Sequence, residues 1–216
     1  MENQEKQNNG VNKAVEEKQE QKKSFTSKLG RQLAEAGLFF LELVKVAVLA
    51  AIVIVFIRHF LFKPFYVRGA SMEPSFYSKE YLIIDELSYR FREPTRGEVV
   101  VFEYPDAPKD FFLKRLIGLP GERVKVSDGQ VIIYNEKYPE GLVLKEEYLK
   151  LGTSTEGERT IVMKKDEYFV LGDNRSNSYD SRRFGAVVKG RIIGRAIFRG
   201  WPLNRIQILK SPEFDI

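Results

Sequence analysis

The chain has 216 residues, a formal net charge of +5 and an isoelectric point of about 9.2. It has no cysteine, which excludes disulfides, thiolate nucleophiles and cysteine-ligated zinc. The single histidine, His59, is too few for a histidine zinc site, and any Ser-His-Asp triad would have to use it. There is no glycine-rich phosphate loop and no dense basic block, so we predict no metal, no cofactor and no nucleic-acid partner.

The first 62 residues divide into a polar tail and an apolar segment. Residues 1–36 are rich in Glu, Gln, Lys and Asn, and have too few apolar positions to offset the entropy cost of ordering. Residues 37–62 are strongly apolar and long enough for one transmembrane helix if Lys45 extends its amine towards the lipid headgroups. A buried core helix is the alternative. A cleaved signal peptide is disfavoured because no small-residue cleavage motif follows the segment.

The basic residues around the apolar segment predict its orientation. Those that precede it are Lys22, Lys23, Lys28 and Arg31. Arg58 and Lys63 follow it, so the positive-inside rule favours a cytoplasmic tail and places residues 63–216 on the outer face of the cell membrane. His59 then falls at the membrane boundary on a helix end, where an interfacial anchor is the better interpretation than a catalytic base.

After residue 64 the sequence changes to short runs of β-branched and aromatic residues separated by turns. The runs lie at 81–84, 98–102, 123–126, 130–134, 168–171 and 190–198. Asp128 and Gly129, between two alternating runs, predict a tight hairpin. No long amphipathic helix follows the apolar segment, so the predicted fold class is mainly β: an antiparallel-sheet domain over 63–216 with a small inserted lobe at about 123–165.

A rigid turn shortly after the apolar segment presents a serine. Gly69 permits backbone angles closed to other residues, and Pro74 holds its own φ angle near about −65°. Ser71 between them is a candidate nucleophile, which needs a nearby group to take its proton. Because cysteine is absent and His59 is placed at the membrane, that group has to be a lysine amine or a carboxylate.

The candidate base is Lys114, which lies in an otherwise apolar run that ends in Pro-Gly at 120–121. In a strand, Phe112, Lys114 and Leu116 share one face. An amine among such side chains is desolvated, and burial lowers its pKa from about 10.4 towards about 8, where it can act as a base. The alternative is an ordinary lysine whose amine reaches solvent or meets an acid.

A polar segment at 172–183 contains two acids, three arginines and several short polar side chains. It lacks the downstream glutamate of a calcium loop, so a plain surface loop and a support for the site are the two interpretations. In the supporting role, Asp180 pairs with Arg182 or Arg115, and serine hydroxyls orient a neighbouring lysine.

Together these stretches resemble the type I signal peptidases, the membrane-anchored serine proteases of the S26 family that remove signal peptides. The family's nucleophile box, Ser-Met-x-Pro, matches Ser-Met-Glu-Pro at 71–74. Its strand box resembles 96–102, and its lysine box resembles 114–122. Its last box resembles 172–175 followed by Ser178, Asp180, Ser181 and Arg182. Order and spacing agree over residues 38–205, behind one membrane segment.

The resemblance implies roles for individual residues. Ser71 would attack the scissile carbonyl, neutral Lys114 would take the hydroxyl proton, and Ser178 would hold the lysine amine in place. The residues that would brace the site are Asp180, Arg182 and Arg115.

The resemblance also bears on substrate binding and the oxyanion hole. It implies that Val67 and Leu113 line shallow pockets for small side chains at substrate positions −1 and −3. The Ser71 backbone N–H is one candidate oxyanion donor. Some members carry a serine two positions before the nucleophile as the second donor. This chain has Gly69 there, so its second donor is unassigned.

The implied function is removal of signal peptides from secretory preproteins by a monomer at the lipid bilayer. Two other classes compete with it. A cytoplasmic Ser-Lys self-cleaving repressor would need a DNA-binding helical domain, and the sequence has none. A catalytically silent, membrane-anchored β-rich binding protein would be expected to have lost Ser71 or Lys114, and both are present.

Overall fold

The structure, a computed structural model, describes residues 36–55 and 62–214. Residues 1–35 of the predicted tail and 56–61 of the predicted membrane segment, which include His59, lie outside the described residues. The chain forms two compact units, Met1–Val55 and Phe56–Ile216.

In the first unit the apolar residues form a helix, α1, Ala36–Val55. Its side chains are exposed along its whole described length. Within residues 36–55 and 62–214 it is the one helix that is long and apolar enough to cross a membrane. Exposed apolar surface on every side is what a membrane anchor requires and what a buried core helix lacks.

The described part of the second unit contains twelve strands in two antiparallel sheets. In chain order the strands are β1 (Phe62–Tyr66), β2 (Tyr81–Asp85), β3 (Val99–Tyr104), β4 (Ala107–Gly118), β5 (Arg123–Ser127), β6 (Gln130–Tyr134), β7 (Leu142–Val143), β8 (Arg159–Val162), β9 (Glu167–Leu171), β10 (Val187–Val188), β11 (Ile192–Trp201) and β12 (Gln207–Ile208). One short helix, α2 (Ser181–Phe184), precedes β10. Single 3₁₀ turns lie at Ser88–Arg90, Arg175–Asn177, Lys189–Arg191 and Leu203–Arg205.

The larger sheet has the strand order β1-β2-β11-β3-β4-β9-β10, and β12 pairs with β11 outside this path. The smaller sheet has the order β7-β6-β5-β8. It lies in the sequence between β4 and β9, two neighbours of the larger sheet, and residues 123–162 are therefore called the inserted lobe. The predicted fold class, mainly antiparallel β with an inserted lobe behind an apolar helix, is confirmed.

The larger sheet is covered on both faces. On β3, Val99 and Val101 join one apolar cluster while Val100 and Phe102 join another. A near-continuous apolar run is what a strand buried on both faces requires. A third cluster packs the inserted lobe against Phe169 of β9. Burial on both faces makes the centre of this sheet a rigid support for side chains on β4.

The hairpin between β5 and β6 forms at the predicted position. Ser127 pairs with Gln130, and the two residues between them, Asp128 and Gly129, have φ angles of 52° and 76°. Positive φ at both central residues is the geometry of the tight turn that matches strand twist. Strand β4 differs from the prediction, because it starts at Ala107, which pairs with Tyr104 of β3. It therefore includes exposed polar residues, Lys109 and Asp110, at an irregularity in the β3 pairing before the apolar run begins.

Candidate active site

Ser71 lies in a tight turn between β1 and β2. The Glu73 N–H donates to the Ala70 carbonyl at 3.2 Å, and Met72, only 2% exposed, anchors the turn in an apolar cluster. Gly69 has a φ of +89°, and no atom lies within 4 Å of the position that a Cβ would take there. Backbone conformation rather than crowding therefore favours glycine at this position.

Lys114 lies on β4, between β3 and β9, and is 4% exposed. Its Nζ donates to Ser71 Oγ at 2.7 Å and to the Leu113 carbonyl at 3.1 Å. Burial lowers the pKa of Lys114 from 10.5 to about 8, against the opposing effect of the Asp180 and Asp173 carboxylates. An amine that becomes neutral near pH 8 thus contacts a serine hydroxyl directly.

An aromatic cluster lies beside the lysine. The Phe112 ring centroid is 5.2 Å from Lys114 Nζ, and Tyr104 stacks on Phe112 at 4.7 Å. Tyr179 and Phe184 complete the cluster, with ring centroids 5.9 and 5.8 Å from Tyr104. The sequence predicts Phe112 on the same strand face as Lys114. It does not predict the contacts of Tyr104 and Phe184, because these depend on how distant segments of the chain pack together.

Both acids of the polar segment 172–183 form buried ion pairs. Asp180 pairs with Arg182 at 2.9 Å, caps α2 through the Arg182 N–H, and accepts from the Gly172 N–H at 3.1 Å. Arg115 pairs bidentately with Asp173, at 2.9 and 2.6 Å, and not with Asp180, which corrects that sequence-based alternative. The reason is the sheet register, since Arg115 lies opposite the last residue of β9 and its guanidinium meets the second residue beyond that strand.

Ser178 has a buried hydroxyl with no hydrogen-bond partner among the described residues. The resemblance implies a bond between this hydroxyl and the Lys114 amine. The structure lacks it: the amine donates to Ser71 Oγ and to the Leu113 carbonyl, and Ser178 Oγ has no partner in the described part of the chain. A Cβ added at Gly172 would lie 2.2 Å from Ser178 Oγ, so the Ser178 side chain packs directly against the Gly172 backbone.

A cavity of about 590 Å³ opens beside Ser71 and Lys114. Val67 and Leu113, the predicted pocket residues, both line it, and both are buried in the same apolar cluster. Its volume lies in the range of ordinary ligand sites, roughly 300–1,000 Å³. The cavity can therefore accept a short peptide segment next to the serine.

Asn174 was not singled out by the sequence analysis, yet it contacts the serine turn. Its backbone N–H donates to the Ser71 carbonyl at 3.0 Å, and its side-chain amide donates to the Ala70 carbonyl at 3.0 Å. The one feature of the sequence that could have pointed to Asn174 is its short polar side chain, of a type that commonly forms hydrogen bonds with backbone groups. Its partners, about a hundred residues earlier, could not be derived from spacing. Over residues 36–55 and 62–214, no group of three or more His, Asp or Glu could hold a metal ion.

Comparison with known proteins gives consistent matches. The family model described as "Signal peptidase, peptidase S26" matches residues 40–201. The "Probable signal peptidase I-2" of Synechocystis sp. is 43% identical over 175 residues, which cover 79% of this chain and 77% of that protein. The "Signal peptidase I" of Leptolyngbya laminosa is 37% identical over 180 residues, covering 80% and 85%. The "Signal peptidase I T" of Bacillus subtilis is 35% identical over 195 residues, covering 88% and 99%.

Proposed function

Because this chain belongs to the S26 family of signal peptidases, which are serine endopeptidases, we propose that it removes signal peptides from exported preproteins with Ser71 and Lys114 as its catalytic dyad. The observation that carries this proposal is the 2.7 Å contact between Lys114 Nζ and Ser71 Oγ in a buried setting. A base must be within hydrogen-bond reach of the proton it takes, and it must be neutral. The lowered pKa of Lys114, about 8, means that roughly a tenth of the amines are neutral at pH 7 and about half at pH 8, which meets the second condition for that share of molecules.

In the first half of the reaction, Ser71 Oγ attacks the scissile carbonyl carbon while its proton passes to neutral Lys114. The carbonyl oxygen becomes an oxyanion, which the Ser71 backbone N–H would stabilise. The intermediate collapses as the C–N bond breaks, and the Lys114 ammonium gives its proton to the departing amine of the mature protein. The signal peptide is left as an ester on Ser71, and Lys114 is neutral again.

In the second half, Lys114 takes a proton from water, which attacks the ester carbonyl. Collapse of this second intermediate breaks the bond to Ser71 Oγ, and Lys114 returns the proton to that oxygen. The signal peptide leaves with a new carboxylic acid, which loses its proton to water and becomes a carboxylate. Asp180 with Arg182, and Asp173 with Arg115, keep the neighbouring strand and loop in register during both halves.

Substrate selection and cellular placement belong to the same proposal. Val67 and Leu113 border the cavity with apolar atoms beside the serine, which favours small apolar side chains at positions −1 and −3. Helix α1 would anchor a monomer in the cell membrane, with the N-terminal tail in the cytoplasm and the catalytic unit on the outer face. Secretory preproteins would meet the site at the bilayer surface.

The test compares the full chain, Ser71→Ala and Lys114→Met in detergent micelles on one preprotein with Ala at −1. Each substitution should lower kcat/KM by at least about a thousandfold, because a dyad acts as a unit. A preprotein with Trp at −1 should resist cleavage by the unsubstituted chain. Cleavage retained in either variant would refute the dyad.

Two variants of the same chemical type serve as controls. Ser78→Ala and Lys165→Met change an exposed serine and an exposed lysine away from the cavity. Both should cleave the preprotein as the unsubstituted chain does. Equal losses in these controls would point to unfolding rather than to missing chemistry.

A further inference from the structure

Asn174 bridges the two peptide groups on either side of the Ser71 α-carbon. Its backbone N–H donates to the Ser71 carbonyl, which belongs to the peptide group after the serine, at 3.0 Å. Its side-chain Nδ2 donates to the Ala70 carbonyl, which belongs to the peptide group before the serine, also at 3.0 Å. One residue of the polar segment therefore fixes both peptide planes of the proposed nucleophile.

The amide orientation of Asn174 follows from its neighbours. Ser176 Oγ donates to Asn174 Oδ1 at 3.3 Å, which leaves Nδ2 facing the Ala70 carbonyl. A carbonyl oxygen only accepts, so the reversed amide would bring two acceptors together. The Ala70 oxygen also accepts from the Glu73 N–H at 3.2 Å. Both acceptor positions of this carbonyl are thus engaged.

Because the peptide bond is planar, the hydrogen bonds that fix the Ala70 carbonyl also fix the direction of the Ser71 N–H. The Ala70–Ser71 bond is not among the cis peptides of the structure, and in a planar trans peptide the C=O and N–H point to opposite edges. Holding the Ala70 oxygen against Asn174 therefore turns the Ser71 N–H away from the polar segment. Ser71 and Gly69 line the cavity, whereas Asn174 does not, so the opposite edge is the cavity side.

The Ser71 N–H is free to donate a hydrogen bond to a group in the cavity. Across residues 36–55 and 62–214 it donates no hydrogen bond to another group of the chain. Close packing limits any rotation of the turn, since a Cβ added at Gly172 would lie 2.4 Å from the Ser71 carbonyl oxygen. An unused donor on a fixed peptide plane, beside a substrate-sized cavity, is the arrangement that stabilises a developing oxyanion.

We infer that the Asn174 side-chain amide is a positioning residue for the oxyanion hole, because it fixes the Ala70–Ser71 peptide plane and so aims the Ser71 N–H at the oxygen that gains negative charge. This assignment rests on the proposed function, since it requires Ser71 to be the nucleophile. Asn174 touches neither the substrate nor the reacting atoms. Its effect should appear in the transition state and not in substrate binding.

The experiment uses the full chain in detergent micelles, with Asn174→Ala and Asn174→Leu. Both remove the side-chain donor and leave the backbone N–H of residue 174, and the leucine also retains side-chain volume. Loss of a whole oxyanion donor costs about 10²–10³ in kcat, so loss of one of two restraints on that donor should lower kcat about tenfold to fiftyfold. KM should stay within about twofold, because ground-state contacts are unchanged.

Two further readouts separate positioning from general loosening of the fold. Affinity for a peptide aldehyde, whose adduct with Ser71 resembles the tetrahedral intermediate, should fall by the same factor as kcat/KM. The midpoint of the pH–rate profile should not move, because Asn174 carries no charge. Asn177→Ala, the same change at an exposed position in the same segment, should match the unsubstituted chain in every assay.

The possible outcomes are distinct. Undiminished kcat in Asn174→Ala or Asn174→Leu, with activity abolished in Ser71→Ala, overturns the role of Asn174 and leaves the dyad standing. A rise in KM or a shifted pH midpoint also overturns it. Cleavage retained in Ser71→Ala overturns the proposed function itself. If one of the two Asn174 variants fails to fold, the melting temperature identifies it and the other decides.

Discussion

Lys114 shows how one side chain serves two opposing requirements. Its amine is buried on the central part of the larger sheet, where a charge is poorly solvated. A pKa lowered from 10.5 to about 8 corresponds to a cost of about 3 kcal/mol for holding the charged form, at roughly 1.4 kcal/mol per unit. The same desolvation makes the amine available as a base, so a loss of stability accompanies the proposed activity.

The pH dependence of cleavage follows from the direction of this shift. Because burial lowers the pKa of Lys114 to about 8, the amine loses its proton as pH rises through 8. We expect kcat/KM to rise about tenfold per pH unit below 8 and to level off above it. Initial rates on a short peptide substrate between pH 6 and 9.5 test this, with circular dichroism as the control for folding. A flat or falling profile would contradict a lysine base.

Gly172 gives a second prediction for a single residue. A methyl group added there would lie 2.4 Å from the Ser71 carbonyl oxygen and 2.2 Å from Ser178 Oγ. The first contact is with backbone, so the serine turn has to shift. We expect Gly172→Ala to lower kcat/KM about a hundredfold, the typical result of a misplacement near 1 Å. Gly190→Ala, where no atom lies within 4 Å of the added carbon, is the matched control. Activity within threefold of the unsubstituted chain would show that the close approach is unimportant.

Among the secondary-structure elements, the central strands and the hairpin could be predicted from the sequence, because their signals are local. Runs of β-branched and aromatic residues predict strands β2, β3, β5, β6, β9 and β11, and Asp-Gly predicts the turn between β5 and β6. The two-residue strands β7, β10 and β12 are too short to give such a signal. They form by pairing with a free edge of a neighbouring strand, which is known only once the sheet has assembled.

Most contacts within the site could not be predicted from the sequence, because they join residues that are distant along the chain. Residue types singled out Ser71 and Lys114 as candidates. The pairing of Arg115 with Asp173 depends on the register between β4 and β9, which the sequence does not state. The contact of Asn174 with the serine turn depends on the path of the polar segment after β9. The chemical type of a residue shows whether it suits a catalytic site. Which of the suitable residues come into contact is decided by the strand register and by the path of the loops.

The inserted lobe contributes directly to the support of the polar segment. Arg175, 3% exposed, donates to both carboxylate oxygens of Glu146 at 2.6 and 2.5 Å. It also donates to Thr155 Oγ1 and to the Tyr148 hydroxyl, and all three partners belong to the lobe. A buried guanidinium with four such bonds ties the two parts of the catalytic unit together.

Removal of the Glu146 carboxylate should therefore destabilise the catalytic unit. Glu146→Ala leaves the Arg175 guanidinium buried without its counter-charge, which typically costs about 3–5 kcal/mol. Urea unfolding of the full chain in detergent measures this loss. Glu147→Ala, at the exposed neighbouring position, should change the free energy of unfolding by less than about 0.5 kcal/mol. Equal effects of the two substitutions would show that the buried pair contributes nothing specific.

At the scale of the whole molecule, the apolar helix α1 and the catalytic residues belong to two different compact units of the chain. Phe56–Ile216 is a compact unit, and its described residues hold all three apolar clusters and both residues of the proposed dyad. Helix α1 has no buried side chains. A unit with its own core folds independently in most proteins, so folding and chemistry should not depend on the helix.

A chain shortened to residues 56–216 tests this division. It should fold without the helix and cleave a short water-soluble peptide with a kcat/KM within about threefold of the full chain, because the clusters and the dyad are retained. Cleavage of a preprotein inserted in lipid vesicles should fall at least about tenfold, because enzyme and substrate no longer share one membrane and their effective concentration drops. Ser71→Ala in the shortened chain controls for contaminating proteases.

A folded but inactive shortened chain would mean that the site needs residues 1–55. Undiminished cleavage of the vesicle-bound preprotein would mean that α1 does not bring enzyme and substrate together.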